Sequence, residues 1–119
     1  QAGPVQIELI HQYDDSPSVY TDLAGEGGCR FHQFSTITFD YPRTRVHYED
    51  LGYEIRGEIV SRGQHIAYID TRRDFGFFTE VVEATPEFLE AAGKISRTCA
   101  TWDGTDPIRI LTRDGYRTP

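Results

Sequence analysis

The chain has 119 residues and carries 19 Asp plus Glu against 12 Lys plus Arg, a formal charge of −7. Its basic residues are scattered, so it offers no footprint for a phosphate backbone, and nucleic acid is excluded as the expected partner. With 38% hydrophobic residues, a mean hydropathy of −0.51 and no apolar run near the roughly 20 residues a membrane span needs, one water-soluble domain is expected.

The chain opens on Gln1, with no Met and no basic-then-apolar leader. The expectation is a cytoplasmic protein whose translation start lies elsewhere. Cys29 and Cys99 lack metal-knuckle spacing and are too few for a disulfide framework, so they read as reduced thiols.

In chain order, Val5 to His11 alternates as a strand, with Val5, Ile7 and Leu9 on one side. Asp14 to Gly28 is rich in Asp, Ser, Pro and Gly and reads as a connection. Within it, Ser18–Leu23 has the makings of a short helical turn. Arg30 to Phe39, dense in aromatic residues, Thr and Ile, is the next strand. Asp40 is a helix N-cap with Pro42 in the first turn, and Gly52 follows a helix ending at Leu51. Tyr53–Ser61 and Gln64–Thr71 are strands joined at Arg62-Gly63, a tight-hairpin signal. Phe77–Glu83 is a fourth strand in this series. Thr85-Pro86-Glu87 starts a helix on which Phe88, Ala92, Ile95, Cys99 and Trp102 form an apolar stripe suited to packing. A turn and an extended tail follow Trp102.

Two of these segments share a peculiarity. "GPVQIELIHQ" and "GFFTEVVE" are glycine-led apolar strands, each with a central carboxylate, Glu8 and Glu80. A charge in such a setting is costly unless it is paired, hydrogen-bonded or bound to a metal. No Gly-x-Ser-x-Gly, phosphate loop or dinucleotide fingerprint competes for the function. His11, His47 and His65 carry no expected role. Arg72 and Arg73 could receive an anion but read better as a solvated hairpin end.

From Arg30 the order is strand, helix, strand, strand, strand. With the Gly-led Glu strands, "DYPRTRVHYEDLGYE" and "AYIDTR", it resembles the vicinal oxygen chelate superfamily: glyoxalase I, methylmalonyl-CoA epimerase, extradiol dioxygenases and bleomycin-resistance proteins. "IELIHQYDDSPSVYTDL" and "WDGTDPIRIL" resemble a bacterial glyoxalase-like subfamily. The resemblance implies an α+β fold, with a βαβββ module whose curved mixed sheet surrounds a cavity, plus a C-terminal helix. It implies residues 1–13 as the last strand of a first module otherwise absent, 14–29 as linker, 30–84 as the complete second module and 85–119 as the appended helix and tail.

The family takes metal ligands from the first and last strands of each module. The implied ligands are Glu8, Glu80 and either Gln33 or His32. Counting back from Asp40 selects Gln33 and, by alternation, places His32 on the opposite face. The implied metal is a divalent ion, Zn, Ni, Co, Mn or Fe. Ser35, Ile37, Phe39 and Phe78 are the implied pocket walls. Glu80 is the implied catalytic group of a lyase, isomerase or epimerase that chelates vicinal oxygens and stabilises an enolate. The alternatives are an extradiol-type dioxygenase and a non-catalytic small-molecule binder of the bleomycin-resistance type. An uncovered sheet edge implies a homodimer.

Overall fold

The computed structural model describes residues 1–23, 29–112 and 114–119. The chain divides into two compact units, one formed by Leu9–Leu89 and the other by Gln1–Glu8 with Glu90–Pro119.

The larger unit holds β1 (Gln33–Thr38), α1 (Tyr41–Asp50), β2 (Ile55–Ser61), β3 (Gln64–Ile69), α2 (Arg72–Phe75) and β4 (Phe78–Glu83). The four strands form one open mixed sheet in the order β1-β4-β3-β2, not closed into a barrel. β1 runs parallel to β4, and the other two pairings are antiparallel. The parallel pair needs a long crossover, which α1, β2 and β3 supply.

Local signals explain most of these elements. The Asp40 side chain accepts the Arg43 backbone N–H at 3.1 Å and starts α1 with Pro42 in its first turn. The β2–β3 hairpin turns at Arg62 and Gly63, at φ of 52° and 80°, the paired left-handed conformation that suits a two-residue turn. β4 lies between two strands, and its residues Phe78 to Val82 are all buried. α1 covers one sheet face, where Tyr41 packs with Ala67, Ile69 and Val81, flanked by Tyr48, Tyr53 and Ile55. Fully burying a side chain such as Ile69 or Val81 contributes about 1.5–3 kcal/mol.

Four expectations are corrected. Val5–His11 is not a strand: an isolated bridge joins Ala2 to Val5, residues 6–13 form no ladder, and Ile7 and Leu9 are exposed. Alternation makes a segment compatible with a sheet, but a strand also needs a partner, and none of the described residues supplies one. Ser18–Leu23 is a turn, closed by Thr21 N–H donating to the Ser18 carbonyl at 3.1 Å, not a helix. Between β3 and β4 the chain adds the single turn α2, ended by Gly76 at a φ of 80°. The tail forms a small hairpin of β5 (Ile110–Thr112) and β6 (Gly115–Arg117).

The smaller unit contains most of α3 (Pro86–Ala100). Gln6 donates to the Ala92 carbonyl at 3.0 Å, and the Lys94 ammonium sits 5.5 Å over the Tyr116 ring. Along the expected stripe Phe88, Ala92 and Ile95 are half-buried, whereas Cys99 and Trp102 are exposed. The described residues contain no helix long and apolar enough to cross a membrane.

Candidate functional site

Register places one row of side chains across the uncovered sheet face. Glu80 pairs with Ser35 on β1 and with Tyr68 on β3. The next row toward the start of β1 joins Gln33 to Phe78, and the row beyond Glu80 joins Ile37 to Val82. Directly paired residues share a face, so Gln33, Ser35, Ile37, Phe78, Glu80, Val82 and Tyr68 belong together. Thr79, Val81 and Glu83 face α1.

Glu80 is 8% exposed. Its Oε2 accepts a hydrogen bond from Ser35 Oγ. No ion pair among the described residues reaches it. The Tyr68 phenol shares a 2.7 Å hydrogen bond with that of Tyr20. Burial, the Tyr20 bond and the nearby Glu80 charge push the Tyr68 pKa upward, so it stays a neutral donor.

The turn at residues 18–23 roofs part of this face. The Tyr20 ring lies 5.0 Å from His32 and 5.8 Å from Tyr68. Val19 presses so closely on β2 that a Cβ at Gly57 would come within 2.9 Å of its Cγ1. Asp22 pairs with Arg56 at 2.9 Å. Phe78 is fully buried beneath the Arg72 guanidinium, 4.6 Å from its ring centre, and the His32 ring, 5.1 Å away.

His32 and Gln33 were expected on opposite faces, and the structure brings them together. The His32 carbonyl accepts the Phe78 N–H at 3.0 Å, but His32 precedes the regular part of β1, where strict alternation no longer fixes its direction. Its Nδ1 contacts the Gln33 carboxamide at 2.5 Å, and its Nε2 contacts the Val19 carbonyl at 2.8 Å. With both ring nitrogens engaged, His32 has no lone pair free for a metal, while on Gln33 the carboxamide oxygen meets His32 and the buried Nε2 has no hydrogen-bond partner. Carboxylate and amide oxygens suit hard divalent ions.

The other expected residues scatter. Ile37 is half exposed and Phe39, past the end of β1, is 83% exposed. Glu8 is exposed and belongs to the smaller unit. Among the described residues no group of three or more His, Cys, Asp or Glu side chains gathers at metal-holding spacing. A shallow depression of about 340 Å³ is lined by Gly52, Tyr53, Glu54, Asp70, Arg72 and Arg73, and Glu80 is not part of it. Arg72 is bound to Asp70 at 2.5 Å and Arg73 to Asp74 at 3.0 Å. These pairs hold the Asp70 and Asp74 carboxyls below their ordinary range, mainly through Arg72 for the first and through Tyr53 and Arg73 for the second.

Sequence reasoning missed Tyr68, Tyr20 and Gly57. Tyr68 was findable by counting back through the hairpin from Arg62-Gly63 to the partner of Glu80. Tyr20 and the close approach at Gly57 come from the fold of a turn and carry no periodic signal. His65 was also undervalued: its Nδ1 and backbone N–H contact Glu83 Oε2 at 2.7 and 3.0 Å.

No protein-family model matches the chain, and no curated protein matches its sequence.

Proposed function

We propose that the Glu80 face is a small-molecule site of glyoxalase-like type, belonging to a metal-dependent lyase or isomerase acting on a substrate with adjacent oxygens. The observation that carries the reading is a buried carboxylate, Glu80, with a hydroxyl partner and no cationic one, on the sheet face that α1 leaves uncovered. A buried charge without a counter-charge is the arrangement a bound cation or a transferable proton would satisfy.

Glu80 and Gln33 would hold the divalent ion, which when bound would supply Lewis-acid polarisation of the substrate oxygens. Ser35 orients the carboxylate through Oε2, leaving the other oxygen to bind or to move a proton. Tyr20 and Tyr68 supply aromatic walls and a phenolic donor.

The aromatic lining supports a second reading, a sequestering protein that uses the same face without metal. An extradiol-type dioxygenase, which prefers two His and one carboxylate, is disfavoured because both His32 nitrogens are occupied. The exposed, uncharged edge strand β1, with Phe34 and Ile37 more than half or half exposed, supports a homodimer. Two free, exposed thiols support work in a reducing, cytoplasmic setting.

The experiment is divalent-metal analysis of the protein and of Glu80→Gln. Stoichiometric metal that the variant loses while its melting stays near wild type is the expected result. Absence of metal, with an apolar ligand still bound, would select the sequestering reading.

A further inference from the structure

The contact between His32 and Gln33 contains a proton-counting problem. The Val19 carbonyl can only accept, so His32 Nε2, 2.8 Å away, carries a proton. In a neutral ring Nδ1 is then a lone pair, and its partner at 2.5 Å must donate. The partner atom is assigned as the Gln33 carbonyl oxygen, while the Gln33 amino nitrogen is the buried atom without a partner. A half-turn of the carboxamide exchanges the two, and the surrounding hydrogen bonds decide which is correct.

One arrangement keeps the oxygen against the ring. It needs a doubly protonated imidazolium with no carboxylate among its hydrogen-bond partners, and it leaves a buried NH₂ unsatisfied. The other turns the amide. Gln33 then donates to Nδ1, the ring stays neutral, and the orphan becomes a carbonyl oxygen. Burying an unpaired charge is costly, and an unsatisfied buried N–H is rarer than an under-satisfied C=O. The second arrangement wins on both counts.

We infer that His32 is a positioning residue, which, anchored by the Val19 carbonyl, holds the Gln33 carboxamide with its oxygen unpartnered on the Glu80 side of the sheet. Two oxygen acceptors then lie buried on that side, the Glu80 carboxylate and the Gln33 carbonyl. The face selects a cation or an N–H or O–H donor and rejects an anion. The tautomer stands on geometry alone; its consequence for binding rests on the proposed site.

The test is imidazole ¹H–¹⁵N correlation on the wild-type protein at about pH 8, above the ordinary imidazole range. The expected result is a protonated Nε2, an unprotonated Nδ1 and Gln33 carboxamide protons shielded from exchange. A protonated Nδ1, in either the other tautomer or the imidazolium, overturns the inference. His32→Phe keeps the stacking on Phe78 and Tyr20 but removes both nitrogens. It should expose the Gln33 amide protons to exchange and weaken Mn²⁺ binding by roughly tenfold, the lower end of what losing an outer-shell partner costs. A wild type with the expected tautomer but no Mn²⁺ affinity supports the positioning inference and removes the metal reading alone.

Discussion

Glu80 and Glu83 lie on one strand, and they look out on opposite faces of the sheet. Glu83 is partly exposed and is held by the His65 ring, the His65 N–H and, through its carbonyl, Gln64. Beside it the Tyr41 ring stacks on His65 at 4.9 Å, and the Tyr41 hydroxyl donates to Glu58 at 2.6 Å. Burial and that bond push the Tyr41 pKa up. On this face the Tyr41–Glu58 bond and the Tyr41–His65 stack attach α1 to the sheet. Glu80 is more deeply buried, yet its partner is a neutral hydroxyl. The difference teaches where to look for function: the fold pairs the Glu83 carboxylate within the sheet and leaves Glu80 short of a counter-charge, and that is where the proposed site lies.

The largest effect should come from the core beneath α1. Ile69 is fully buried, and Ile69→Ala should cost about 2–5 kcal/mol through lost burial and the remaining cavity. Denaturant unfolding measures it. Ligand binding per folded molecule should be unchanged, because Ile69 faces away from Glu80. A variant that stays as stable as wild type would show that the α1 face is not the main core.

The turn over the Glu80 face should yield a smaller, coupled effect. Gly57→Ala places a methyl 2.9 Å from Val19 Cγ1, and overpacking of that kind costs about 1–3 kcal/mol. Val19→Ala should relieve it, so the double variant should be more stable than the two single losses sum to. Strict additivity would mean that the turn does not rest on β2.

Glu83→Gln probes the other carboxylate through pH. The His65 bonds hold the Glu83 carboxyl below its ordinary range. A group depressed in the folded state stabilises above its unfolded pKa, and that contribution is lost as pH falls through the folded value. Wild type should therefore be more stable than Glu83→Gln near neutral pH, and the two curves should merge in acid. A gap that persists at low pH would refer the loss to packing. Glu83 is thus no silent control for Glu80.

The sheet was legible in the sequence because its signals are local: the Asp40 cap, the Arg62-Gly63 turn and the apolar run of β4. Glu80 and Gln33 were singled out by the resemblance, and alternation put Ser35 and Phe78 on their faces of the strands; the parallel pairing that joins them is seen only in the structure. What failed did so for lack of local cause. His32 turns toward Gln33 because it precedes the regular strand. Tyr20 and Val19 reach the site from a turn whose course depends on β2. "GPVQIELIHQ" has nearly the same pattern as "GFFTEVVE", but Phe78–Glu83 lies between two strands, whereas beyond the single Ala2–Val5 bridge residues 6–13 form no ladder with any described residue.

That last contrast gives the smallest expected effect. Glu8 and Glu80 occupy matching places in the two glycine-led segments, and the resemblance makes both of them ligands. In the structure Glu8 is exposed, in a stretch without a ladder, and an exposed carboxylate is already satisfied by water. Substitutions at such positions usually change stability by no more than about 0.5 kcal/mol. Glu8→Gln should leave the melting midpoint and Mn²⁺ affinity where they are, while Glu80→Gln, removing the charge from a buried site, should lose the metal. Isothermal titration of both variants with Mn²⁺ decides the matter. If Glu8→Gln weakens binding as much as Glu80→Gln does, the assignment of the metal to the Glu80 face alone is wrong.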